Sequence, residues 1–218
     1  ELSICMLSVD PTRKKAGGAL LGDRIRMNAI EGDRIYMRSL ATRESGSEIS
    51  QALDEAVAVA RSAGFGLIFC ETSGIGQASS AITSLSDITL YVMTAEYGAP
   101  TQLEKIEMLD FPDLVVVNQF DRRGSEDAFH AVAKQVQRNR QAFGEPLEAM
   151  PVFGTMASHF NDPGINALYI ALLARLQEKT GTPWESSLAS SAPVAQITEV
   201  ATRIIPPRRE RYLSEIAE

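Results

Sequence analysis

Phe65-Gly66-Leu67-Ile68-Phe69-Cys70-Glu71-Thr72-Ser73-Gly74-Ile75-Gly76-Gln77 is the stretch on which the fold turns. An apolar run reads as a buried strand, an acid closes it, and a glycine-containing loop follows. Nucleotide-hydrolysing α/β proteins place a Mg²⁺-linked carboxylate and a backbone N–H beside a γ-phosphate in this way. Glu71 is then the expected holder of Mg²⁺ or its water. Gly74 would offer its N–H to the phosphate and sense its loss, and Gln77 would orient water. The competing reading is an ordinary strand-to-helix turn. An isolated E-x-x-G is a weak signal, and its place after a buried strand strengthens it.

Similar runs lie on both sides. Strands are predicted over 2–9, 34–40, 65–70, 88–94, 114–118 and 151–154, most of them nearly continuous in hydrophobicity, as in strands covered on both faces. Helical patterns alternate with them. One carries Ile49, Leu53, Val57 and Ala60 on a face, after a Ser45/Glu48 capping box and before Gly64. Another opens on a Thr101/Glu104 box, with Leu103, Ile106 and Leu109 behind it. A third has Phe129, Val132, Ala133 and Val136 and stops near Gly144. The clearest has Asp162 as N-cap, Pro163 first, and a face of Ile165, Leu168, Tyr169, Leu172, Leu173 and Leu176. Alternating strands and helices predict an α/β protein with a mainly parallel sheet. Residues 182–193 are Ser/Ala-rich and aperiodic and read as a linker. Pro206-Pro207 then precedes a short helix-like piece with Tyr212, Leu213 and Ile216 on one side.

The 218 residues suffice for one sizeable domain, or a domain and a tail. A net charge of −7 argues against nonspecific binding to nucleic acid or an anionic membrane. No run is long enough to span a bilayer and no signal peptide is seen, so a cytoplasmic location is expected. Cys5 and Cys70 sit in strand-like runs and read as reduced core thiols. The first residue is Glu1, and a strand begins almost at once, so a preceding stretch is expected to lie outside this chain.

Asn118-Gln119-Phe120-Asp121 follows the fifth strand. Asp121 there can accept hydrogen bonds from guanine N1–H and the 2-amino group, a donor pair that adenine lacks. Asn118 would tie the loop to its neighbours. A polar turn is the plainer alternative. The next strand runs into Gly154-Thr155-Met156-Ala157-Ser158, where Thr155, Met156 and Ala157 are placed to line a base with backbone N–H groups. Asp10, at the end of the first strand in Ser8-Val9-Asp10-Pro11, is either a Mg²⁺ ligand or the start of an Asp-Pro turn. Asp23, after Gly17-Gly18 and Gly22, is either another acid of the metal shell or part of a flexible loop and helix cap. No G-x-x-x-x-G-K-[ST] loop occurs. That loop supplies most phosphate contacts in such proteins, and its natural place is after a strand preceding Leu2. Such a strand is normally central, so exposed apolar edges are expected without it.

These residues bear a resemblance. Ser8-Val9-Asp10-Pro11, the run from Gly17 to Met27, Tyr36-Met37-Arg38-Ser39-Leu40-Ala41-Thr42-Arg43, Gly46-Ser47-Glu48-Ile49-Ser50, the Glu71 and Asn118 loops and Ile205-Pro206-Pro207-Arg208 resemble the G domain of the cobalamin-associated GTPases, which are P-loop proteins. The resemblance extends to the form fused within isobutyryl-CoA mutase. The resemblance implies a P-loop NTPase-like, three-layer α/β/α fold lacking its phosphate-loop strand and helix. It implies a GTPase domain over 1–181 and a linker and connector toward a mutase domain over 182–218. Asp10, Asp23 and Glu71 would form the Mg²⁺ shell. The loop from Glu96 through Thr101 and Gln102 to Lys105 would be the family's extra switch, with Lys105 supporting hydrolysis. The implied function is a GTP-binding, GTP-hydrolysing chaperone that gates adenosylcobalamin loading and protection of an acyl-CoA mutase of the isobutyryl-CoA or methylmalonyl-CoA type. The parent would be a homo-oligomeric GTPase joined to a cobalamin-dependent isomerase, with adenosylcobalamin bound in the partner domain and GTP or GDP with Mg²⁺ here. The alternative is a nucleotide-poor module that docks to the mutase without hydrolysing GTP. The Asn118/Asp121 pair disfavours an ATP-dependent kinase on the same fold. Gln119 stands where the family's base motif usually has Lys, whose stem packs over the guanine, so weakened nucleotide affinity is expected.

Overall fold

The computed structural model describes residues 2–10, 30, 33–41, 52–72, 81–98, 103, 107–188 and 193–198. The chain divides into two compact units, one holding residues 1–89 and 105–111, the other 90–104 and 112–218.

In the first unit, β1 (Ile4–Asp10) lies between β2 (Ile35–Ala41) and β3 (Leu67–Thr72), all parallel. Helix α1 (Leu53–Ser62) makes the crossover from β2 to β3, and α2 (Ala81–Leu85) follows β3. Helix α1 buries Leu53, Val57 and Ala60, spaced as one helical face, with Asp54 and Glu55 in its first turn and Arg61 in its last, matching the helix dipole. Gly64, at φ +83°, turns the chain back toward β3. The apolar face joins Cys5, Leu7, Val9 and Leu40 in one core cluster. Both cysteines are free thiols, and burial pushes Cys5 and Cys70 above their ordinary pKa.

In the second unit, β5 (Leu114–Asn118) lies between β4 (Leu90–Thr94) and β6 (Val152–Thr155), again all parallel. Helix α3 (Ser125–Asn139) joins β5 to β6, and α4 (Pro163–Thr180) follows β6. Phe129, Val132, Ala133 and Val136 of α3 are buried as the periodicity predicts. This helix ends at Asn139, ahead of the Gly144 stop. Just past its end, the Arg140 guanidinium donates to the Pro112 and Asp113 carbonyls at 2.7 and 3.0 Å. Helix α4 has the expected Asp162 cap, whose carboxylate accepts from the Ile165 N–H at 2.8 Å, and Gly181 ends it in the left-handed conformation.

The strands form two three-stranded sheets, parallel throughout, with helices between the strands, as the alternating pattern predicts. Two expectations change. β5 and β6 are buried on both faces, but β3 and β4 are not: Phe69, Leu90 and Val92 are exposed, as edge strands allow. The inward face of α4 is shifted. Tyr169 is exposed, while Gly164 and Ala167 are buried, and Ala167, Leu168, Ala171 and Leu172 pack with Leu114 and Phe153. Small residues win that face because the helix runs so close to β6 that a Cβ on Gly164 would overlap the Gly154 carbonyl oxygen. Both boxes proposed as helix caps, Ser45/Glu48 and Thr101/Glu104, lie outside the described residues.

Candidate functional site

Ligands of open α/β sheets bind at the C-terminal ends of parallel strands. The sequence-predicted residues that the structure describes lie at those ends, in two separate sets.

In the first unit the set is Glu71 and Asp10. Asp10 closes β1, and Glu71 lies next to last in β3, the adjacent parallel strand. Glu71 pairs in register with Ser8, and the Ser8 hydroxyl, itself buried, donates to Glu71 Oε2 at 3.0 Å. The rest of Glu71 is exposed. A carboxylate held on one oxygen and open to solvent is a suitable hard-oxygen donor for Mg²⁺. Among the described residues no group of three or more His, Cys, Asp or Glu side chains could hold a metal ion. Asp23, Gly74, Gln77, Thr101, Gln102 and Lys105 lie outside the described residues. An apolar cavity of about 490 Å³ in this unit is lined by Cys5, Tyr36, Arg38, Val59 and Phe65 among others; it lies between α1 and the sheet face, away from Glu71.

The second set is built more heavily. Asn118 and Thr155 end β5 and β6 as register partners. Asn118 Oδ1 accepts from the Thr155 hydroxyl at 3.1 Å and from the Ala157 N–H at 3.2 Å, so one amide oxygen joins the two loops. The Phe120 N–H donates to the Thr155 carbonyl at 3.0 Å. Phe120 is buried, its ring edge-on to Phe129 with centroids 6.0 Å apart. A Cβ at Gly154 would come within 2.6 Å of that ring, so glycine makes room for it. With Phe120 turned inward, Gln119 and Asp121 on either side are exposed. Gln119 has φ +58°, a left-handed conformation that costs a residue with a Cβ about 1–2 kcal/mol. Its carbonyl accepts from the Arg122 N–H at 3.0 Å, and the Arg122 guanidinium pairs with Glu96 at 2.6 Å.

The Met156 N–H, one of those expected to line a base, is taken by the buried Asp162 carboxylate at 3.2 Å. Asp162 is therefore both the cap of α4 and a support of the 155–157 loop. Its second oxygen accepts from the Thr198 hydroxyl at 2.7 Å. Residues 193–198 run beside β6: Gly154 N–H donates to the Gln196 carbonyl at 2.9 Å, the Thr198 N–H to the Gly154 carbonyl at 3.1 Å, and Ile197 forms a parallel bridge with Gly154. Sequence reasoning found Asp162 through its capping pattern. It missed Thr198, which lies beyond the 182–193 stretch read as a linker and carries no local signal.

A family model described as methylmalonyl-CoA mutase-associated GTPase MeaB matches residues 2–186. The chain is 55% identical over 218 residues to a fused isobutyryl-CoA mutase of Geobacillus kaustophilus, covering 100% of this chain and 20% of that protein. It is 53% identical over 217 residues to a fused isobutyryl-CoA mutase of Cupriavidus metallidurans, with the same coverage of 100% and 20%. The chain thus spans about a fifth of the length of these relatives. Among solved structures, HypB from Helicobacter pylori in complex with nickel aligns with a TM-score of 0.53 at 14% identity, covering 85% of this chain and 79% of that one, a likeness of fold alone. Among the described residues no helix is long and apolar enough to cross a membrane. Strand ends, loop chemistry and near-complete coverage agree: the chain belongs to the MeaB family of methylmalonyl-CoA mutase-associated GTPases.

Proposed function

We propose that this chain is the guanine-nucleotide-binding part of a GTPase that gates adenosylcobalamin loading and protection of an acyl-CoA mutase. The observation that carries the reading is the Asn118 amide, which joins two buried strand ends and leaves Asp121 exposed beside them. A site built this way favours a base with adjacent N–H donors, because a base without them leaves the carboxylate unpaired. Asn118, Gln119, Asp121, Thr155, Met156 and Ala157 would form the base side. Glu71, steadied by Ser8, would hold Mg²⁺ with Asp10 and Asp23, while Gly74, Gln77 and Lys105 would serve the terminal phosphate. Bound Mg²⁺ would neutralise charge developing on the phosphate oxygens. Residues 1–181 would be the nucleotide domain and 182–218 the connector. The partner would be a cobalamin-dependent mutase domain, in a homo-oligomeric cytoplasmic assembly. GTP and GDP would bias the loops differently, and the partner would read that difference.

The test uses a longer protein in which this chain is extended N-terminally to carry a phosphate loop. An Asp121→Asn carboxamide offers one acceptor and one donor, so it suits a base with a 2-oxo group. Guanine-nucleotide affinity should fall about a hundredfold or more, with xanthine nucleotide gaining. Equal binding of Mg²⁺-GTP and Mg²⁺-ATP before and after the change would overturn guanine recognition. Absence of any nucleotide binding would favour a docking module instead.

A further inference from the structure

Thr198 is 3% exposed and every atom of its hydroxyl is used. The oxygen accepts from the Gly164 N–H at 3.1 Å. Its single proton faces Asp162 Oδ2 at 2.7 Å and the Gly154 carbonyl at 3.2 Å, and the shorter, charge-assisted bond takes it. Asp162, also 3% exposed, spends its other oxygen on the Met156 and Ile165 N–H groups. An unbroken buried path therefore runs from the chain at residue 198, through one carboxylate, to the backbone of the 155–157 loop and the start of α4. Further bonds fix the 193–198 segment: the Gln196 side chain donates to the Met150 carbonyl at 2.9 Å, and the Asn166 side chain to the Pro193 carbonyl at 2.8 Å. A plain helix cap needs only the Ile165 bond. The added bonds from Thr198 and to Met156 tie the cap to the loop on one side and to the C-terminal stretch on the other.

We propose that Thr198 is a positioning residue for base recognition, holding the 155–157 loop through Asp162 and so coupling the 193–198 segment to nucleotide selectivity. The inference rests on the reading of that loop as the guanine side of the site. It assigns the loop's geometry to a residue outside the loop, on the segment that runs beside β6. Displacing Thr198 leaves Asp162 Oδ2 without its donor and the Gly164 N–H without its acceptor, both in a buried place. The carboxylate can then turn, and the Met156 amide loses its fixed partner.

The test compares Thr198→Val with Thr198→Ser in the full-length protein carrying this chain, by amide hydrogen exchange and by binding of Mg²⁺-GDP and Mg²⁺-ADP. Valine keeps the shape and removes the hydroxyl; serine keeps the hydroxyl. With Val, exchange at Met156 and Ile165 should accelerate about tenfold or more while β4 and α3 are unchanged, as expected for a local opening. The GDP-to-ADP affinity ratio should fall about fivefold or more, the size expected when one hydroxyl is taken out of a buried polar network. Serine should restore both. Uniform acceleration across the unit, unchanged exchange at Met156, or a loosened loop with an unmoved GDP-to-ADP ratio would each overturn the inference. Lack of guanine preference in the unsubstituted protein would overturn the recognition reading itself, and this inference with it. An intact preference that Thr198→Val leaves alone would overturn only the coupling.

Discussion

Glu71 and Asn118 lie at the C-terminal ends of parallel strands, yet they are supported in opposite ways. Glu71 is exposed and held by one bond from Ser8. Asn118 stands in a network in which Thr155, Met156, Asp162 and Thr198 are nearly inaccessible to water. The strands differ likewise: β3 alternates between partial burial and exposure, while residues 114–117 and all of β6 are buried. Polar groups that keep water cost little to leave unpaired, whereas those in a dry network must be paired. The Asn118 set is therefore fixed by the fold, while the Glu71 carboxylate keeps bonding capacity open to solvent. Substitutions should damage stability in the second unit and chemistry in the first.

The largest stability effect is expected at Gly164. Alanine there would overlap the Gly154 carbonyl oxygen and crowd the Thr198 hydroxyl, and neither backbone can retreat without opening the β6 edge. Gly164→Ala should cost about 3 kcal/mol, the upper part of the usual overpacking range, read from urea denaturation. A loss below about 1 kcal/mol would mean the second unit is less tightly built than its hydrogen bonds indicate.

Asn118→Ala comes next. It removes the acceptor shared by the Thr155 hydroxyl and the Ala157 N–H, and Thr155 is fully buried. About 1–3 kcal/mol should be lost, mostly the cost of the unpaired hydroxyl. Combining it with Thr155→Val, which removes that hydroxyl, should cost clearly less than the sum of the two changes. Additive losses would show that the pair is not coupled.

Glu71→Gln sharpens the comparison from the other side. Glutamine keeps an oxygen for Ser8 and loses only the charge, so stability should change by less than about 0.5 kcal/mol. In the longer protein with a phosphate loop, Mg²⁺-dependent GTP hydrolysis should fall at least about tenfold, since a neutral ligand holds the cation less well. A stability loss equal to that of Asn118→Ala would erase the distinction between the units.

How much of this was legible in the sequence follows the same division. Residues 114–117 are four consecutive apolar residues, and all are buried, so the pattern located β5 without error. Asp162-Pro163 announced α4 through local chemistry that the fold uses unchanged. The run through Phe69 read as a strand covered on both faces, but hydrophobicity does not tell a covered strand from an edge, and Phe69 is exposed. The face of α4 was misjudged because large apolar residues outweigh small ones in a periodicity count, while a close crossing over Gly154 selects Gly164 and Ala167. Thr198 had no local signal at all: its role exists only because residues 36 positions apart in the chain meet, with Asp162 on the other side of the bond.

Gln119 carries the smallest effect and the finest test. Its side chain is exposed, so packing does not explain the residue, and its φ of +58° is a conformation glycine adopts more readily. Gln119→Gly should relieve the left-handed strain but add freedom to the unfolded chain, for a net gain of about 0.5 kcal/mol. Gln119→Lys keeps the strain and restores a long aliphatic stem able to cover a base. In the longer protein it should tighten Mg²⁺-GTP binding a few-fold, as about 1 kcal/mol of apolar contact gives, and leave stability unchanged. The two substitutions separate backbone from side chain at one position. If Lys does not tighten binding while Gly weakens it, the strained backbone orients the loop and the side chain is incidental. If Lys tightens and Gly is neutral, the exposed stem governs affinity, and the rigidity of the second unit serves to aim it.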